Sequence, residues 1–240
     1  DRLTLRTHKV KVPQHCEVHR HLDDPARREP ASSIRAVPHP SEPSCTVLHA
    51  LRCLGSVPAR RIADAVGLPE REVESELIDL AVAGLVSYTP GVFSGWLLTD
   101  DGRTEVVRRA TRELAQAGAR DVVERCYDDF LVLNPELLQT CTAWQVRADR
   151  GSQLNDHSDD RYDAEVLRRL VALDEQGQRV CRELAATLTR YAPYAGRLTA
   201  ALQRALAGDT AAVTDRTDSY HAVWFQLHED LLVTLDRPRW

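Results

Sequence analysis

The residue types best suited to chemistry lie near the C-terminus, in the run Asp218-Ser219-Tyr220-His221-Ala222-Val223-Trp224-Phe225-Gln226-Leu227-His228-Glu229-Asp230-Leu231-Leu232. On a helix, His221 and His228 fall within about 20° of each other, on the side that carries Trp224, Phe225 and Leu232. Two imidazoles then project from an aromatic and apolar face, flanked by Glu229 and Asp230. Three readings compete. The histidines can be hydrogen-bonded packing residues at a bundle seam. They can belong to a small-molecule pocket, with Trp144, Tyr220, Trp224 and the Asn155-Asp156-His157 loop supplying aromatic walls and polar contacts. Or they can hold a metal, although two ligands on one helix normally stand four residues apart rather than seven. The pocket candidates are thus Trp144, Asn155, His157, Tyr220, His221, Trp224 and His228. His15-Cys16 with His19 and His21 is a further zinc candidate, set against solvated polar residues in a proline-rich segment. No glycine-rich phosphate loop, Gly-x-Ser-x-Gly elbow, Cys-x-x-Cys or His-Glu-x-x-His occurs, so no enzyme, cofactor or metal is expected.

The elements that must position these residues are those of a globular chain. It has 240 residues, 43% hydrophobic and 28% charged, enough for one large domain or two ordinary ones. No apolar run approaches the roughly 20 residues that span a bilayer, and the first residues lack the pattern of a secretory signal. The six cysteines are widely and irregularly spaced, as expected of reduced thiols in a cytoplasmic protein. The net charge of −5 speaks against a globally basic nucleic-acid binder. There is no methionine and position 1 is Asp, so a piece of a longer chain is expected.

Composition divides the chain into three. Residues 1–44 are rich in histidine and proline and poor in large apolar side chains, and read as a flexible arm or linker with at most one short strand across Leu3–Val12. Residues 45–102 read as three helices and a hairpin. Val47, Leu48, Leu51 and Leu54 recur at helical spacing before Gly55. Pro58 opens a second helix with Ile62, Ala63 and Val66. A third follows Leu68-Pro69 with Val73, Leu77 and Leu80. Leu85–Tyr88 and Trp96–Leu98 then read as strands around a turn-rich loop. Residues 103–240 read as a helical bundle with a long helix from Arg103 toward Leu133, interrupted near Gly118, and a new helix capped by Asn134 with Pro135 in its first turn.

The stretch Arg61-Ile62-Ala63-Asp64-Ala65-Val66-Gly67-Leu68-Pro69, with Val73, Leu77, Ala83-Gly84-Leu85-Val86 and the exit Trp96–Arg103, resembles the winged helix-turn-helix of MarR-like and PadR-like bacterial regulators. That resemblance implies a mainly α fold: a winged helix followed by an antiparallel bundle that serves sensing and dimerisation. It also implies DNA contact through Arg60, Arg61, Arg71, Ser75 and Arg103, a small-molecule effector, and a homodimer. Charge opposes the DNA contact. Across residues 45–102, Arg52, Arg60, Arg61 and Arg71 are outnumbered by Asp64, Glu70, Glu72, Glu74, Glu76, Asp79, Asp100 and Asp101, and acids beside phosphate weaken binding.

Residues 45–240 also resemble a segment of actinobacterial proteins that stands alone or extends pyruvate phosphate dikinase-like (PEP-utilising) chains. Leu133–Leu138, Cys141–Gln145, Asn155–His157, Asp218–His221 and His228–Leu232 carry that likeness. It implies an accessory or regulatory module of a phosphotransferase, since the phosphoryl-carrier histidine and its surround are missing. A transcriptional regulator and a module that binds protein instead of DNA are therefore the two expectations.

Overall fold

The computed structural model describes residues 37–91 and 94–238. The expected strand across Leu3–Val12 and the group His15, Cys16, His19 and His21 lie outside the described residues. The end of the expected linker is docked rather than free. His39 donates from its backbone to Thr187 O (2.9 Å) and accepts from Thr189 N (3.1 Å), and Ser41 N donates to the Thr189 hydroxyl.

The described chain is mainly helical. Pro43 starts α1 (Pro43–Leu54), and Gly55 ends it. Pro58 and Pro69, extended residues that cannot continue a helix backwards, precede α2 (Ala59–Val66) and α3 (Glu70–Val82). β1 (Val86–Thr89) pairs antiparallel with β2 (Gly95–Leu98), Val86 facing Leu98 and Thr89 facing Gly95. Val57 bridges to the other edge of β2 through two backbone bonds with Trp96 (3.1 and 2.8 Å). The Thr99 hydroxyl accepts from Gly102 N (3.0 Å) and so caps α4 (Asp100–Gln116).

The expected long helix breaks at Gly118 (φ 58°), and α5 (Arg120–Gln145) follows. The helix start expected at Asn134-Pro135 is corrected: α5 runs straight through Pro135. Leu133, Leu137, Cys141 and Trp144 keep burying one continuous face, which outweighs the amide bond that the proline removes. Asn134 does not cap anything, because its side-chain oxygen accepts from Trp224 Nε1 (3.1 Å). Within the polar stretch after α5, β3 (Val146–Arg147) and β4 (Gln153–Leu154) form a two-rung hairpin that the sequence reading did not contain. Then come α6 (Asp160–Ala185), a 3-10 turn (Thr189–Tyr191), α7 (Ala192–Leu206), α8 (Ala211–Thr214) and α9 (Tyr220–Thr234), the last capped by Ser219.

Two apolar cores result among the described residues. The smaller gathers Val47, Leu48, Leu51, Ile62, Val73, Leu77, Val86, Leu98 and Val106 from α1–α4 and the sheet. The larger is built by α5–α9 around Phe130, Leu137, Leu170, Leu173, Tyr220 and Trp224. The last helix serves both: Val233 belongs to the smaller core, while Leu231 and Leu232 belong to the larger. Among the described residues, no helix is long and apolar enough to cross a membrane.

Candidate functional site

Chemistry-bearing side chains gather in two settings: the outer surface of α3 and the seam where α1, α2 and α4 meet α7 and α9. On α3, Val73, Leu77 and Leu80 point into the small core. Residues 71, 75, 78 and 82 are spaced to share the opposite face, and Arg71, Ser75, Ile78 and Val82 are all exposed, Ile78 at 58% and Val82 at 86%. Glu70, Glu72, Glu74 and Asp79 stand exposed around that stripe. The surface therefore has an apolar centre and an acidic rim, with Arg71 at one end.

Of the other expected DNA-contacting residues, Arg60 is exposed at the start of α2. Arg61 turns inward and donates to the Thr217 hydroxyl (2.8 Å). Arg103 lies 3.9 Å from Asp100 on its own helix. Arg52, on α1, is drawn to the buried Glu229 carboxylate at 2.8 Å. Arg52 and Arg61 thus both contact the bundle, Arg52 through an ion pair and Arg61 through a neutral hydroxyl.

The expected pocket residues fall into separate places. Trp144, Asn155 and His157 do meet. The Trp144 ring lies 4.6 Å from the His157 ring, Asn155 Nδ2 donates to Trp144 O (3.0 Å) and Asp163 Oδ1 (2.8 Å), and His157 Nδ1 is 2.8 Å from Asp163 Oδ2. These bonds tie the residues after β4 to α5 and α6. Tyr220, Trp224 and His228 pack in the larger core instead. Tyr220 donates to Asp174 Oδ1 (2.9 Å), Trp224 stacks 4.5 Å from Phe130, and His228 lies 5.1 Å from the same ring. His221, half-buried, lines a hollow with Cys53, Val57, Arg61 and Phe225, beside α1 and α2. Side chains seven apart on α9 thus face different neighbours: His221 lines the hollow beside α1 and α2, and His228 stands against Phe130.

At the seam is a buried ion network that the sequence reading missed. Arg190, with 1% of its side chain exposed, donates from Nε to Glu113 Oε2 (2.7 Å), from Nη2 to the Thr234 hydroxyl (2.6 Å), and from Nη1 to Asp230. Its guanidinium carbon sits 4.4 Å over the Tyr191 ring. Tyr194 donates its hydroxyl to Asp230 Oδ2 (3.0 Å). Burial alone would raise the Asp230 pKa, but Arg190 and the bonds from Arg190 and Tyr194 hold it below the usual carboxylate range. His49 of α1 is 3% exposed, and neither ring nitrogen has a hydrogen-bond partner among the described residues. Burial and the nearby Arg190 charge bring its pKa down to about 4, so the ring is neutral at pH 7.

Sequence signals for this network exist. Glu113 falls on the apolar stripe of α4 set by Val106 and Ala110. Glu229 and Asp230 interrupt a helix that is apolar on every side, where an acid has no solvent to face. Cys45, His49 and Cys53 recur every four residues on the inner side of α1. No protein-family model, curated protein or solved structure matches this chain.

Proposed function

We propose that this chain is a regulatory module of winged-helix build that acts through protein contact. Residues 43–98 supply the order helix, helix, helix and hairpin, and α5–α9 form the helical bundle behind it. The observation that carries the reading is the outer face of α3: exposed Ile78 and Val82 at its centre, with Glu70, Glu72, Glu74 and Asp79 around them. An apolar centre inside a charged rim is the anatomy of a protein interface. The acidic rim selects a basic partner by complementarity and repels an identical copy of itself. The likeness to extensions of pyruvate phosphate dikinase-like chains supports a phosphotransferase of that class as the partner.

A binding titration with a dikinase-like enzyme from the same genome tests this. We expect saturable association that weakens at least tenfold in Ile78→Lys, with the fold unchanged because Ile78 faces solvent. No association, or an Ile78→Lys variant that binds as the parent does, overturns the reading.

DNA binding is the second reading, favoured by exposed Arg60 and Arg71 together with a third helix whose outer face is uncovered. In that case α3 would enter the major groove. The arginines would have to overcome the acidic rim, and helices of the bundle would set the spacing of a dimer.

A further inference from the structure

A cleft of about 220 Å3 opens on the seam between α2 of the small core and α7 and α9 of the bundle, and Arg61, Arg197 and Arg204 converge on it. It shares the walls Ala65 and Arg197 with a cavity of about 20 Å3, which has room for one water and is lined by His49. Two acids, Asp218 and the exposed Asp64, line it beside the three arginines. Asp218 already accepts from Arg216 (2.9 Å) and Arg204 (3.2 Å). Arg61 donates to a neutral hydroxyl. Arg197 is partly buried, donates to the side-chain oxygen of Gln226 and lies 5.6 Å from the Tyr194 ring centre, so its direct contacts are neutral and Asp218 acts on it only through space.

A partly desolvated guanidinium whose direct contacts are neutral is costly, and an anion arriving in bidentate geometry would relieve that cost. We propose that this cleft is a binding site for a small multivalent oxyanion, either a phosphate monoester or a di- or tricarboxylate, held by Arg61 and Arg197. Its walls come from both sides of the seam, so an occupied site clamps α2 to the bundle. The proposal does not depend on what α3 contacts.

Thermal unfolding of the full chain tests it, with inorganic phosphate and citrate as probes and sodium chloride at matched ionic strength as the control. The midpoint is expected to rise with at least one probe and to saturate, which chloride does not reproduce. The probe that acts at lower concentration tells phosphate from carboxylate chemistry. Arg197→Gln and Arg61→Gln should each need at least tenfold more anion for the same rise. Arg61, on the cleft edge, keeps the test valid if the Arg197 variant fails to fold. A rise no larger than that with chloride, or an Arg61→Gln variant that responds as the parent does, overturns the site.

Discussion

The outer face of α3 and the buried seam are both dense in charge, yet their physics is opposite. On α3 the acids stand in water, where each is hydrated and screened and contributes little to stability. At the seam Arg190, Glu113 and Asp230 are buried and joined by direct bonds, so each depends on the others. The difference teaches that a charge count over a segment says little about its role until burial assigns each group a medium. The acids that α3 shows to solvent stay hydrated, whereas those at the seam pair with Arg190 between the two cores.

The largest expected effect breaks this comparison most severely. Arg190→Met leaves two carboxylates buried beside an apolar side chain, and the expected loss is about 3–5 kcal/mol in urea unfolding. A loss below about 1 kcal/mol would place the network in the same class as the α3 surface. Next comes pH. His49 is pushed down to about 4 in the folded chain from 6.5, so the unfolded chain binds the extra proton first. Stability is therefore complete above about pH 6.5 and falls as pH drops toward 4, by about 3 kcal/mol at most. The groups facing His49 are Arg190, Asp230, Glu113 and Arg52. Asp230, whose own pKa is depressed, adds a further loss at the acid end as it protonates. His49→Phe should flatten the slope between pH 6.5 and 4, and an unchanged slope would assign it to other groups.

Smaller effects sharpen the contrast. A Cβ on Gly177 would meet Trp224 Cζ3 at 2.9 Å, so Gly177→Ala forces the ring off Phe130 and is expected to cost about 1–3 kcal/mol. Trp fluorescence and the thermal midpoint should change together. Smallest of all, Glu72→Gln with Glu74→Gln on α3 should change stability by less than about 0.5 kcal/mol. A greater change would mean that this rim is part of the fold.

The helices of residues 43–98 were legible because turn prolines and glycines coincide with the ends of apolar spacing, as at Gly55, Pro58 and Pro69. The break near Gly118 was legible for the same reason. Pro135 misled because the sequence shows the lost amide bond but not the buried face, from Leu133 to Trp144, that overrides it. The aromatic-histidine face of α9 is a sound periodicity, yet α9 is packed from several sides. Residues sharing one face then meet different helices, and His221 parts from His228. The seam was hardest to read, since its members come from α1, α4, the 3-10 turn, α7 and α9, and pairing across such distances leaves no local spacing. Its trace was Glu113, Glu229 and Asp230 standing where only apolar residues fit.

The most direct test of the protein-contact account is fluorescence anisotropy of the chain against double-stranded genomic fragments, titrated at 50 and 150 mM salt. The account predicts no saturable binding at the higher salt and no fragment preference at the lower. Saturable, fragment-selective binding at 150 mM that is lost in the Arg60→Ala, Arg71→Ala variant would contradict it and restore DNA as the target of α3.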